Sequence, residues 1–276
     1  MGSARAECRG RRRDVPLVIG PELLPAVAVG LVGGTLVGMT GVGAGSVISA
    51  FLLVFYPHVA AQVIVGSATI QAVAMKLVGV WSRRQFQLRE RGLGLIMAAG
   101  AIPLSIVGAW VSDRIPGNTL RILVSFILLI VGVNLAVQSA FTRWRPREPE
   151  PSPKDPAPGL IAVLGANTGF IAGLTSVGTG TLFVSALAGP LRVAPHRAVA
   201  AALYAGMLTL VVSGATHAML GHVSGSLVLA TCLGSIPGVI FGTVFSQRLR
   251  ATALRGVIGA GIVVAALVAF TRTHHH

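Results

Sequence analysis

A glycine-rich stretch interrupts the apolar sequence twice, once in each half, and constrains the fold more than any other feature. The first copy, GMTGVGAGS, spans residues 38–46, and the second, GLTSVGTGT, spans residues 173–181. Glycine in a helix interior costs about 1 kcal/mol relative to alanine, so each stretch is expected to break a helix. The apolar pieces that follow, 46–56 and 181–189, are too short as helices to cross a hydrocarbon layer of about 30 Å. Matching breaks in two halves are typical of substrate sites in secondary transporters.

The chain has too few charged residues for a water-soluble domain. Of its 276 residues 53% are hydrophobic and 11% are charged, whereas soluble domains carry about 25% charged residues. The apolar segments are long and do not alternate with polar residues, which indicates helices rather than a barrel. We therefore predict an all-α integral membrane protein, multi-pass in the plasma or inner membrane. The net charge of +14 lies in tails and loops; this is typical of cytoplasmic loops and does not indicate nucleic acid binding.

The two halves repeat one order of residues beyond the glycine-rich stretches. The matched pairs are Gly100 and Gly234, Pro103 and Pro237, Gly108 and Gly242, and Arg121 and Arg255. Regular repetition over a whole half indicates a duplication. Each repeat is predicted to contain one broken, re-entrant helical hairpin and three transmembrane helices. An odd number of crossings gives the two repeats inverted topology.

The composition and the duplication together predict the domain boundaries. These are a basic N-terminal tail (1–16), a first membrane repeat (17–142), a proline-rich charged linker (143–158), a second membrane repeat (159–271) and a C-terminal tail with a purification-tag remnant (272–276). The predicted long spans are 17–39, 61–82, 93–112, 118–141, 159–176, 198–220, 224–246 and 254–271. Equivalent loops of the two halves differ in arginine content, which favours opposite orientations. The side of the membrane that holds the N-terminal tail stays open.

The distribution of ionisable residues argues against several function classes. None of the eight acidic residues lies in the middle of a predicted span, whereas cation pumps and carboxylate relays need buried acids. The sequence shows no metal-ligand cluster and no nucleophile–base pair at mid-membrane depth. We therefore predict no catalytic residue, metal or cofactor. His217 and His222 lie at the end of a span, where histidines serve either as interfacial residues or as proton sensors.

The glycine-rich breaks suit an anion. A helix that restarts after a break presents free N–H groups and a partial positive charge, and glycine lets a ligand approach those groups closely. The candidate ligands are Thr40, Gly41, Gly43, Ala44, Gly45 and Ser46 in the first break, Ser67, Gln71 and Lys76 in the next span, and Asn167, Ser176, Gly178, Thr179, Gly180 and Thr181 around the second break. The alternative is close helix packing, which we favour for the small-xxx-small series Gly30, Gly34 and Gly38.

Two of these candidates, Lys76 and Asn167, have competing interpretations. Lys76 lies well inside a span with no carboxylate in the neighbouring spans, so its partner is either the transported anion or, by snorkelling, the membrane interface. Ser67 and Gln71 are four residues apart and share a helix face. Asn167, like Asn134, is expected to be a buried amide that either bonds across helices or, before the second break, contacts the ligand.

The order of these motifs resembles the TauE/SafE family of sulfite exporter-like membrane proteins over about residues 24–271. The shared motifs are Gly38-x-x-Gly41-Val42-Gly43-Ala44-Gly45, Val65-Gly66-Ser67, Arg83-Arg84, Gly100-x-x-Pro103-x-x-x-x-Gly108, Gly173-x-x-x-x-Gly178-Thr179-Gly180 and Gly234-x-x-Pro237-x-x-x-x-Gly242. The resemblance implies secondary transport, usually efflux, of sulfite, sulfoacetate or another organosulfonate. This chain departs from the family at Ala200-Ala201-Ala202, where relatives have glycine, threonine and serine, and at Ser176, which replaces a glycine.

The leading hypothesis is therefore an exporter of a sulfur-containing anion that works by alternating access in the lipid bilayer. A coupling proton or other ion, and a homo-oligomer, are compatible with it. The sequence leaves two alternatives open. One is a passive anion channel lined by the same breaks, and the other is a non-transporting membrane scaffold or sensor whose glycines serve packing alone.

Overall fold

The computed structural model describes residues 23–40, 43–82, 91–144, 156–177, 179–246 and 260–270, and these are helices joined by short turns. The helices are α1 (Leu23–Thr40), α2 (Ala44–Phe55), α3 (Ala61–Ser82), α4 (Arg91–Arg114), α5 (Gly117–Trp144), α6 (Pro158–Thr175), α7 (Thr181–Ala188), α8 (Pro195–Met219), α9 (Gly225–Ser246) and α10 (Ala260–Phe270). No strand occurs in these ranges. The prediction of an all-α protein is confirmed.

The helices have the length and surface of a membrane protein. Within the described ranges five of them, α4, α5, α6, α8 and α9, are long and apolar enough to cross a bilayer. Large apolar side chains such as Leu233, Phe241 and Phe126 point outward and are more than half exposed. In water such a surface would be unfavourable, whereas in hydrocarbon it is the normal outer face of a helix bundle. The protein is therefore a multi-pass membrane protein.

Helices end at both glycine-rich stretches. α1 stops at Thr40 and α2 begins at Ala44, while α6 stops at Thr175 and α7 begins at Thr181. The two restarted helices have 12 and 8 residues, so they are about 18 Å and 12 Å long. Neither is long enough to cross the hydrocarbon layer alone. Residues 1–22, which include the whole N-terminal tail, residues 41, 42 and 178, and most of the linker (145–155) lie outside the described ranges.

Each half contributes one helix to a tightly packed pair with the other half. α1 packs along α9, where added Cβ atoms at Gly34 and Gly38 would overlap the carbonyl oxygens of Ser235 and Val239. α4 packs along α6 in the equivalent way, with Gly169 against the carbonyl of Ala101. Glycine allows such backbone contact because it has no side chain to separate the helices. The packing role predicted for the Gly30 series is confirmed, and inverted topology remains a prediction.

Arg121 holds the short helix α2 in place. Its guanidinium donates to the carbonyl oxygens of Leu53 at 3.1 Å, Pro57 at 2.8 Å and Val59 at 2.7 Å. These carbonyls belong to the end of α2 and to the turn before α3, and the end of a helix leaves carbonyls without backbone donors. The buried cation, the only kind of side chain with five donors in a fixed fork, satisfies them together. The C-terminal end of α2 is thereby fixed against α5.

Candidate functional site

The two breaks touch each other through their backbones. A Cβ atom on Gly43 would lie 2.9 Å from the amide nitrogen of Gly180, and one on Gly45 would overlap the carbonyl oxygen of Ser176. Contact this close excludes any side chain at Gly43 or Gly45 unless the backbones move apart. The structure thus brings the first glycine-rich stretch (38–46) and the second (173–181) together at one location, although they belong to different halves of the chain.

The N-terminus of α2 is uncapped by any side chain. Gly43 is the N-cap residue, with φ −55° and ψ 126°, and no side-chain hydrogen bond reaches the first turn. The nearby Ser46 hydroxyl instead donates to the carbonyl oxygen of Gly43 at 2.8 Å. The first N–H groups of a helix have no partner within it, and they carry the positive end of the helix dipole. This end of α2 can therefore accept a negatively charged group.

The second break has a different local structure. α6 ends at Thr175, and its C-cap residue Ser176 adopts a left-handed conformation with φ 60°. The Ser176 amide donates to the carbonyl oxygen of Ala172 at 2.8 Å. Non-glycine residues rarely adopt this conformation, so a glycine would occupy this position with less strain. Gly180 then serves as the N-cap of α7, again without a side-chain cap. Both breaks therefore restart a helix behind a glycine.

Two hydroxyls of the second break are buried without a partner. The Oγ of Ser176 and the Oγ1 of Thr181 make no hydrogen bond to any residue that the structure describes. Buried polar groups are almost always hydrogen-bonded, and an unsatisfied one costs about 1–3 kcal/mol. The Ser176 hydroxyl lies opposite Gly45, and the Thr181 hydroxyl lies at the start of α7. They supply donors where the two breaks meet.

Lys76 reaches the second break from α3. Its side chain is only 5% exposed, and Nζ donates to the carbonyl oxygen of Thr179 at 2.9 Å. Gly206 of α8 lies against the same ammonium group, where a Cβ atom would overlap Nζ. In the described part of the chain no carboxylate pairs with Lys76. The ammonium group therefore lies at the contact between the breaks, and the snorkelling interpretation is wrong for this conformation.

Ser67 and Gln71 share a face of α3, as expected, but that face packs away from the break contact. The Oγ of Ser67 accepts a hydrogen bond from the amide of Ser224 at 3.0 Å. The Nε2 of Gln71 donates to the Oγ of Ser235 on α9 at 2.9 Å, and its Oε1 is buried without a partner in the described residues. The structure thus joins both residues to the α8–α9 region rather than to the breaks.

The expectation that Asn134 and Asn167 are buried amides is wrong. Both are exposed, and Asn167 donates from Nδ2 to the carbonyl oxygen of Val163 in its own helix at 3.0 Å. Asn167 shares the outward face of α6 with Leu160 and Val163, which are 50% and 57% exposed. Its spacing from these apolar residues places it on that face, and the bond to its own helix satisfies the amide. Asn167 therefore does not join the other candidates.

The structure does not describe four other candidates, or does not describe their side chains. Gly41 and Gly178 are outside the described ranges, and the side chains of Thr40 and Ala44 are not described. Thr179 is buried and contributes its carbonyl oxygen to Lys76. The set that the structure brings together is Gly43, Gly45, Ser46, Lys76, Ser176, Thr179, Gly180 and Thr181.

Sequence reasoning missed Gly206 and a polar cluster of His217, His222 and Asp113. Gly206 is one glycine among many in an apolar segment, and only its position opposite Lys76 distinguishes it. The His222 Nε2 to Asp113 Oδ1 contact of 2.9 Å joins residues 109 positions apart, so no local spacing reveals it. The proton-sensing interpretation of the histidines was the one available signal.

Comparison with known proteins identifies a family model and two relatives that match most of the chain. The family model described as sulfite exporter TauE/SafE matches residues 26–269. The chain is 27% identical to the probable membrane transporter protein YjnA of Bacillus subtilis over 248 residues, which cover 87% of this chain and 97% of the relative. It is 24% identical to the probable membrane transporter protein YunE of the same organism over 241 residues, or 81% and 88% of the two chains. No solved structure matches the chain.

Proposed function

The chain belongs to the sulfite exporter TauE/SafE family, and from this we propose that it is a secondary transporter that exports a small sulfur-containing anion. Sulfite, sulfoacetate and other short organosulfonates form the proposed substrate class. The proposed binding site is the contact between the two breaks, and the proposed cycle is alternating access.

The buried ammonium group of Lys76 is the observation that carries this proposal. A lysine this far from water is costly unless it is paired, and its described partner is one neutral carbonyl oxygen, that of Thr179. An ammonium group has three donors, so the remaining ones suit a negatively charged ligand. An anion at this place would neutralise the charge that the protein leaves uncompensated.

The groups around Lys76 fit the oxygen atoms of a sulfite or sulfonate. Such an anion presents several acceptors, and hydrogen bonds to a charged group are about twice as strong as neutral ones. The uncapped first turns of α2 and α7 and the unpartnered hydroxyls of Ser176 and Thr181 supply neutral donors. A helix N-terminus alone binds many anions; the combination with a buried cation supports a dedicated site.

The interlocked helix pairs support an alternating cycle. α1 with α9 and α4 with α6 form two tightly packed bodies, and the breaks lie where elements of the two halves meet. In transporters with inverted repeats such bodies rock around a site near the membrane midplane. We propose that the two pairs move relative to each other and expose the anion to each side in turn.

Uptake into proteoliposomes tests the proposal. The purified protein should show saturable flux of radiolabelled sulfite or of a two- or three-carbon sulfonate, and no saturable flux with any of these oxyanions would defeat it. Single-channel currents in a planar bilayer would favour a passive channel instead.

Lys76→Met is the decisive variant for the site. It keeps a side chain of similar length and removes the charge, so we expect the KM for the anion to rise at least about tenfold, equivalent to about 1.4 kcal/mol. The thermal midpoint without ligand should not fall. The matched control is Arg91→Met, which removes a cation from the exposed start of α4 and should leave KM unchanged. An unchanged KM in Lys76→Met would remove the lysine from the site.

A further inference from the structure

A row of polar groups connects the C-terminal end of α4 to the C-terminal end of α6 at the second break. His217 and His222 are buried, and their Nδ1 atoms lie 3.3 Å apart. The Nε2 of His222 lies 2.9 Å from the Oδ1 of Asp113, whose side chain is 39% exposed. The Nε2 of His217 lies 2.9 Å from the carbonyl oxygen of Gly173. The order is therefore Asp113, His222, His217 and Gly173.

The Gly173 carbonyl is at the point where α6 stops. In a continuous helix it would accept a hydrogen bond from the amide of Val177, but that amide donates to the Oγ1 of Thr175 at 3.2 Å. Helix ends leave such carbonyls without a backbone donor. The imidazole of His217 provides a donor here, and a positive charge near a helix C-terminus is favourable. The histidine pair is thus bonded, through His217 and the Gly173 carbonyl, to the C-terminal end of α6 at the second break.

The contacts among Asp113, His222, His217 and the Gly173 carbonyl need one proton more than two neutral imidazoles and an ionised carboxylate supply. A carbonyl oxygen and a carboxylate oxygen are acceptors, so both Nε2 atoms must carry hydrogen, and the contact between the two Nδ1 atoms needs one hydrogen as well. That makes three N–H groups, whereas two neutral imidazoles have only two. The third proton completes all the bonds, either on an imidazole beside ionised Asp113 or on Asp113 itself. Without it, one of the three contacts must break.

We propose that Asp113, His222 and His217 form a proton-binding site whose loading with one proton sets the position of the α6 terminus at the second break. Asp113 exchanges the proton with water through its partly exposed carboxyl group. This inference rests on the proposed function, for which it supplies the coupling ion. When the proton leaves, one of the three contacts loses its hydrogen, and where this is the contact of His217 with the Gly173 carbonyl, the α6 terminus loses its donor.

The helices packed around the cluster carry few ionisable side chains in the described ranges. α4 carries Asp113 and the exposed Arg114, and α3 carries Lys76, which lies about 13 Å along the helix axis from Ser67. α6 has no ionisable side chain, and α9 has Cys232 alone. Among the described residues no group of three His, Cys, Asp or Glu side chains is arranged to hold a metal ion. The histidines follow one another in a line rather than converging on a point.

Imidazole nitrogen NMR of the full chain in nanodiscs, recorded without substrate, tests the inference. With ¹⁵N-labelled histidine, the signals are assigned by their loss in His217→Gln and His222→Gln. We expect the nitrogen signals of both imidazoles to change in one shared transition between about pH 5 and pH 8, because a single proton is shared by the cluster. In Asp113→Asn, whose amide can donate to an unprotonated Nε2, the midpoint should fall by about one pH unit or more. Exposed His58 is the control, and His58→Gln should not move the shared transition.

Separate midpoints for the two histidines, no titration in this range, or an unchanged midpoint in Asp113→Asn would each overturn the inference. If Asp113→Asn does not fold, Asp113→Glu replaces it, because a retained carboxylate should retain the shared transition and its loss would count against the site. The measurement needs no transport, so a protein that fails to move sulfite still tests the proton site. A protein that moves sulfite but lacks the shared transition would defeat the proton site alone.

Discussion

Gly43→Ala adds one methyl group at the contact between the two breaks. The backbone of Gly43, with φ −55° and ψ 126°, is one that alanine adopts freely, so the substitution causes no conformational strain. The new Cβ would lie 2.9 Å from the Gly180 nitrogen and 3.1 Å from its Cα. Ordinary contact begins near 3.4 Å, so the breaks must separate by about 0.5 Å, and crowding of this kind costs about 1–3 kcal/mol.

This separation should weaken anion binding because the donors of α2 and α7 no longer converge. If the whole of this cost falls on the bound state, the Kd rises about fivefold to about 150-fold. The assay is the ligand-induced rise in thermal midpoint at a series of sulfite or sulfonate concentrations, since a ligand stabilises the folded state according to its occupancy. Radiolabelled flux gives the KM on the same preparation.

Two glycine variants separate a site effect from a packing effect. Gly30→Ala places its Cβ against the Thr231 carbonyl on α9, far along α1 from the break, and should lower the midpoint without changing the Kd of folded protein. Gly92→Ala meets nothing within 4 Å and should leave both quantities unchanged. A Kd for Gly43→Ala within twofold of the Gly92→Ala value would refute the proposed role of the break contact.

Three further substitutions, at two positions, have defined outcomes. Ser176→Gly removes the left-handed strain, worth about 1–2 kcal/mol, and should raise the thermal midpoint, whereas Ser176→Ala keeps the strain and loses only the hydroxyl. If that hydroxyl contacts the anion, both variants should raise the KM in the flux assay. A normal KM in both variants would exclude a contact between the Ser176 hydroxyl and the anion. Asn167→Ala should change neither flux nor midpoint, because a surface substitution of this kind stays within about 0.5 kcal/mol. A flux defect in Asn167→Ala would show that the exposed face of α6 has a role.

Composition and hydropathy were sufficient to predict the helices. The span predicted at 61–82 coincides with α3, and the span predicted at 224–246 begins one residue before α9. Long apolar runs leave few alternatives in a membrane, where each backbone group must be bonded internally. The helix ends were less certain: α5 continues to Trp144, past the predicted end at 141.

The contact between the two breaks could be predicted, because each break contains the matching glycines of the repeat. The orientation of individual side chains could not. Lys76 had two interpretations until its contact with Thr179 was known, because a sequence does not show which way a long side chain turns. Asn167 was placed inside because it is polar, although its helical spacing from Leu160 and Val163 already indicated the outer face.

The histidine cluster illustrates a different limit. Asp113 and His222 come from different halves, and their contact results from the packing of α4 beside the α8–α9 turn. No periodicity within one helix carries this information. The same holds for Arg121, whose partners lie more than 60 positions away.

The pairing of α1 with α9 has a consequence for biosynthesis. α1 leaves the ribosome among the first helices, yet the helix against which its glycines fit is among the last to be made. During translation the glycine face of α1 must therefore remain in lipid or against temporary neighbours, with its close backbone contacts unmade. The first half of this protein reaches its final packing only when the second half has been inserted, so assembly is a property of the whole polypeptide and not of either repeat.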